Sequence, residues 1–114
     1  MRIWDVPPRR LCRQHLLAEH RELHGLWNIL TVHGGAGGYS LHPETRRWMG
    51  RTGALFERHR QLVEEFERRG YQHRSPLDRR LAASAWTQRS FVTPLADQVR
   101  ILTDKPCECL LDPG

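Results

Sequence analysis

Apolar residues recur at Leu16, Leu23, Trp27 and Leu30, with His20 completing the row, between Pro7-Pro8 on one side and Gly34, Gly35, Gly37 and Gly38 on the other. Spacings of three and four residues put these side chains on one face of a helix from about Leu11 to Val32. The flanking prolines and glycines stop it from extending either way, and the glycine-rich loop is expected to be mobile. A one-sided helix of this length must bury its apolar face against other elements, and no segment alternates well enough to be read as a strand. The partners are therefore helices.

Three further helical stretches supply them. His42-Pro43-Glu44 places proline in a first turn with an acid beside it, a helix start. Trp48, Thr52, Leu55, His59, Leu62 and Phe66 then line one face of a long helix, which Gly70 caps after Arg68-Arg69. Ser75-Pro76-Leu77-Asp78 resembles a capping box and predicts a shorter helix through about Arg89. A last short helix is predicted from Thr93-Pro94 to about Leu102, followed by an irregular tail from Asp104. The expectation is an all-α fold, one compact domain over residues 1–114, with two long and two short helices.

Length excludes a second core, since a chain of 114 residues buries only about two-thirds of its unfolded surface. No apolar run approaches the ~20 residues of a membrane span, and the N-terminus carries no apolar signal core. Three cysteines, Cys12 and the pair Cys107-x-Cys109, form no disulfide framework and fit no Cys-x2–4-Cys zinc spacing. A monomer in the cytoplasm, associated with the nucleoid, is the expectation. The net charge of +5 arises from 18 basic against 13 acidic residues, and Lys105 is the sole lysine. Arginine forks grip phosphate bidentately, which makes nucleic acid a candidate partner, although a solvated helix face also explains such residues.

The chemistry-bearing stretch runs from Arg13 to His24. On a helix, Gln14, Ala18, Arg21 and Gly25 share one stripe and His15, Glu19, Glu22 and Leu26 the next. Small Ala18 and Gly25 leave room for a polar pocket beside Arg21 and Glu22; an ordinary charged face with i,i+4 pairs fits the same pattern. His20 and His24 have the i,i+4 spacing of helical zinc sites, but the acid follows the first histidine by two residues, so His-Glu-x-x-His is not formed. The reading assigns no metal and no cofactor.

Met1-Arg2-Ile3, followed by Gln14-His15-Leu16, Ala18-Glu19 and Arg21-Glu22-Leu23, resembles the N-terminal block of the phage UV-endonuclease type of pyrimidine-dimer DNA glycosylase. A second similarity runs through Leu62-Val63-Glu64-Glu65-Phe66-Glu67-Arg68-Arg69-Gly70-Tyr71, and together they cover roughly half of the chain. The resemblance implies an all-α enzyme that removes a damaged base from duplex DNA and then nicks the abasic site by β-elimination. In that family the nucleophile is the α-amine of a Thr exposed by removal of the initiator Met. Here the register falls on Met1, which the bulky Arg2 should keep in place, so the reacting nitrogen is conserved in position while its side chain changes. The resemblance assigns Glu22 as the acid that removes the C2′ proton, Arg2 and Arg21 as phosphate grips, and Gln14 and His15 as further DNA contacts; His24 is a candidate DNA contact that substitutes only in part for a family residue. Glu19, which serves equally well as a structural partner of an arginine, ranks below Glu22 as the acid. Arg46, Arg47, Arg51, Arg68, Arg69 and Arg74 are additional candidates for phosphate.

Two departures bear on specificity: the aromatic, basic tail of the phage members is missing, and His24-Gly25-Leu26 does not match the family's basic contact after Leu23. Pyrimidine dimers are thus one candidate lesion among others. The alternatives are a non-catalytic helical nucleic-acid-binding module and a metal-dependent hydrolase using His20, Glu22 and His24.

Overall fold

The computed structural model describes residues 2–32, 34, 41–82, 85–105, 107 and 109. Met1, most of the glycine-rich loop and the last five residues lie outside them. Among the described residues there are four α-helices and no strand: α1 (Arg13–Thr31), α2 (Pro43–Trp48), α3 (Thr52–Arg68) and α4 (Leu95–Asp104), with short 3-10 turns at Pro8–Arg10 and Arg79–Leu81. None of them is long and apolar enough to cross a membrane. α1 and α3 are the long pair and pack on each other.

The predicted face of α1 is buried at Leu16, Leu23 and Trp27, joined by Leu26; α3 buries Leu55, His59, Leu62 and Phe66. Removing a fully buried leucine such as Leu62 to alanine from a core of this kind costs about 2–5 kcal/mol.

Two boundaries differ from expectation. The long helix predicted from Pro43 to Gly70 is broken at 49–51, because Gly50 takes φ +73°, a conformation that ends α2 and lets the chain turn before α3. The helix predicted from Ser75 to Arg89 does not form. Asp78 caps only the single turn Arg79–Leu81, its carboxylate accepting from the Arg80 N–H, and the described residues on either side are non-helical. Leu77 and Ala82 reach the core, but Leu81 and Trp86 stay largely exposed, and propensity without a continuous buried face does not hold a short helix. The count of two long and two short helices stands, with α2 in the place of the absent one. The cap at Gly70 is as read: φ is +79°, Gly70 N–H donates to Glu67 and Tyr71 N–H to Phe66, and the Tyr71 ring packs on Phe66.

No sequence pattern foretells how deeply the N-terminal segment is inserted. Ile3, Trp4, Val6 and Leu11 are all buried although none lies in a helix or strand. Polar groups from α2, α3 and α4 hold this segment. Arg58 of α3 clasps Glu19 of α1 through Nε and Nη2 at 2.7 and 2.9 Å, and Nη2 also donates to the Val6 carbonyl. Arg47 of α2 pairs with Asp5 and Glu44 and reaches the Ile3 carbonyl. Gln98 of α4 accepts from the Asp5 N–H and donates to its carboxylate, both at 2.8 Å. Burial pushes the Glu19 carboxyl upward in pKa and the Arg58 charge opposes it.

Candidate active site

The clasped segment forms one wall of a cleft of about 270 Å³, lined by Arg2, Trp4, Ala18, Glu19, Glu22, Ile101 and Lys105. α1 supplies Ala18, Glu19 and Glu22 because these positions lie within one turn on one side of the helix. Ala18 contributes space, as its small size predicts. Arg2 arrives from the N-terminal segment, and Ile101 and Lys105 from the end of α4.

Three residues apart, Glu19 and Glu22 have different lives. Glu19 is fully buried and its oxygens are engaged by Arg58. Glu22 is half-buried, faces the cleft, and has no hydrogen-bond or ion-pair partner among the described residues. Arg2 is similarly unspent: its guanidinium lies 4.9 Å from the centre of the Trp4 ring, and its buried Nη1 has no hydrogen-bond partner among the described residues. A desolvated cation of this kind has a strong preference for an anionic ligand. The cleft therefore combines a fixed guanidinium, an unpaired carboxylate and an ammonium, a set able to hold a phosphate and move a proton.

Of the residues predicted to act, the structure brings Arg2 and Glu22 together. Gln14 and Arg21 are exposed on α1. Met1 lies outside the described residues. His15 turns its Nδ1 toward sulfur, 3.1 Å from Cys12 Sγ and 3.4 Å from Cys109 Sγ, and burial together with the Lys105 charge holds its pKa below the usual imidazole value. His24 points away from the cleft, its Nε2 lying 3.2 Å from those of His20 and His59. That arrangement separates His20 and His24 from Glu22, so the three do not form a hydrolase site. Several of the additional arginines have internal partners: Arg47 is buried in its ion pairs, Arg69 bonds Glu65 and donates to the carbonyls of Pro8, Arg9 and Leu11, Arg68 also pairs with Glu65, and Arg51 donates to the Thr87 carbonyl. Lys105 was missed by sequence reasoning; its being the sole lysine in an arginine-rich chain was the available signal.

Among the described residues, a helical scaffold sets a guanidinium and a carboxylate without partners in one small cleft, an arrangement able to bind an anion and exchange a proton. The family model for pyrimidine dimer DNA glycosylase matches residues 1–79, well over half of the chain, and the chain belongs to that family. No individual curated protein and no solved structure matches it. The match takes in α1 to α3, with Arg2, Glu19 and Glu22, and stops before α4 and Lys105. Membership implies a DNA glycosylase, with damaged DNA as its substrate.

Proposed function

We propose that the protein excises a damaged base and cleaves the resulting abasic site, with the α-amine of Met1 as nucleophile and Glu22 as the proton-transferring acid. The observation that carries this reading is the meeting of Arg2 and Glu22 in one cleft, with residue 1 covalently joined to Arg2. An α-amine titrates near 7.7–8.0, over two units below a lysine, so a usable neutral fraction exists at physiological pH.

The neutral amine attacks the sugar C1′, its lone pair forming the C–N bond as the base leaves with the glycosidic electron pair and is protonated. Ring opening gives an iminium at C1′. That cation acidifies C2′; Glu22 takes the proton, the electrons form a C2′–C3′ double bond, and the 3′ phosphate departs with the C3′–O electrons. Water then hydrolyses the imine and frees the amine. Arg2 would hold a flanking phosphate, and Gln14 and Arg21 are proposed to meet the strand where they stand exposed on α1. Duplex stacking hides C1′, so the target nucleotide must be kinked out or flipped, and lesions that weaken stacking reduce that cost. Pyrimidine dimers are such lesions.

Borohydride trapping on a duplex with one abasic site, followed by peptide mapping, tests the reading. An adduct on Met1 is expected. An adduct on Lys105, which shares the cleft, would overturn the assignment of the nucleophile, and no adduct with DNA binding intact would leave a non-catalytic binding module.

A further inference from the structure

Outside the cleft, all three cysteines and five of the seven histidines gather into two groups of four. The first comprises His20 and His24 on α1, His59 on α3 and His73, three residues beyond the Gly70 cap. The Nε2 atoms of His20, His24 and His59 form a triangle with every edge 3.2 Å. Hydrogen bonds cannot satisfy that triangle. Each neutral ring nitrogen carries either a proton or a lone pair, so at least one edge sets like against like. His73 adds a buried Nε2 with no hydrogen-bond partner among the described residues, and the four ligand atoms lie within 4.8 Å of one another.

The geometry suits a cation. A point about 2.0 Å from all three corners of this triangle, the length of a Zn–N bond, lies just off its plane, and His73 supplies a fourth nitrogen within 4.8 Å of the others. We propose that His20, His24, His59 and His73 hold a zinc ion through their imidazole nitrogens. Burial and mutual repulsion push His20 down to about 4 and His59 to about 3, so both rings offer lone pairs at neutral pH. Phe66 packs edge-on to His20 at 4.9 Å between ring centres and floors the site with apolar surface. Four protein ligands leave no open position for substrate, which makes this a structural centre. It ties α1, α3 and the irregular segment after Gly70 together.

A second centre is carried by separate residues. Cys12, His15, Cys107 and Cys109 also place their ligand atoms within 4.8 Å, with His15 Nδ1 between two sulfurs. The Cys12 N–H donates to Cys109 Sγ at 3.1 Å, the kind of outer contact that stabilises a metal-bound thiolate. Three thiolates and one imidazole are a zinc set, and they fix the chain beyond α4 to the start of α1. Both inferences stand apart from the glycosylase chemistry.

The test is metal analysis of the untagged protein purified without chelator, followed by replacement with Co2+. Two zinc ions per chain are expected. Cobalt should give visible bands of tetrahedral intensity, with near-ultraviolet thiolate charge transfer from the cysteine site alone. His73→Ala and, separately, His24→Ala should lower the count to one and keep the charge transfer; Cys109→Ser should lower it to one and abolish it. Far-UV circular dichroism checks that the helices persist, and a competition titration with a chromophoric chelator reads the affinity. A folded wild-type protein that takes up no zinc from a micromolar solution would overturn both sites. One zinc per chain, with unchanged count and affinity in both histidine variants, would overturn the histidine site. Two zinc ions retained at wild-type affinity by Cys109→Ser would overturn the cysteine site.

Discussion

Two adjoining regions use the same residue types to opposite ends. Around residues 3–6, Glu19, Arg58, Arg47, Asp5 and Gln98 are matched almost bond for bond, and the segment is fixed. In the cleft beside it, Arg2 and Glu22 are left unmatched among the described residues. Removing one partner from a buried pair strands a charge and costs folding free energy, whereas an unmatched group at a cleft contributes little to stability and is free to act on a ligand. In the proposed mechanism Glu19 holds the site and Glu22 works in it.

That contrast can be broken in four places. The largest effect is expected from Glu22→Gln, which should lower the rate of strand cleavage at an abasic site by about 10²–10⁴ while the melting temperature and DNA affinity hold. A large fall in melting temperature would make Glu22 another structural acid. Arg58→Met should do the reverse, costing about 3–5 kcal/mol in urea unfolding because Glu19 is left buried and uncompensated. A cost near zero would mean that water reaches Glu19 and that the segment is held by packing alone.

Arg2→Ala tests the open side again. If the guanidinium meets phosphate, the slope of log affinity against log salt should fall in magnitude by about 0.9, the release of one counterion, and an unchanged slope would remove Arg2 from the DNA. The smallest effect belongs to Glu65, whose carboxyl is held below its ordinary value by hydrogen bonds from Arg68 and then Arg69. A lowered carboxylate pKa adds stability that is complete above the unfolded value of about 4.3 and is lost as pH falls through the folded value below it. Glu65→Gln should therefore flatten the loss of urea stability between pH 5 and 3 relative to the wild type. Equal slopes would show that Arg69 holds the N-terminal carbonyls without help from Glu65.

Much of the scaffold was legible because a helix is written locally. The row Leu16, Leu23, Trp27 and the cap at Gly70 depend on neighbours three to five residues away, and both are found where expected. The motif of Arg2 and Glu22 was legible through family resemblance, and the match over residues 1–79 supports the family. What was not legible depends on distance along the chain. Nothing near Ile3 or Trp4 foretells burial, since their partners are distant in sequence: Arg47 of α2 reaches the Ile3 carbonyl and His15 of α1 packs edge-on to the Trp4 ring. Cys12 meets Cys109 across 97 residues, so Cys107-x-Cys109 read alone lacks its remaining ligands. His20 and His24 were noticed as a pair, but His59 was assigned to an apolar stripe and His73 to no element. The absent helix at 75–89 is the opposite case: a sound local start signal whose segment meets the core only at scattered residues such as Leu77 and Ala82.

The reciprocal bonds between Asp5 and Gln98 span 93 positions. During synthesis at ~5–20 residues per second, residue 98 follows residue 5 by on the order of 5–20 s. A segment made before α1 is thus among the last to be seated, after α1, α2 and α3 have been made. Until α4 emerges, the wall of the cleft that bears Arg2 lacks one of its three anchors, and a truncated chain that reaches only α3 carries the family's motif without a finished place to use it.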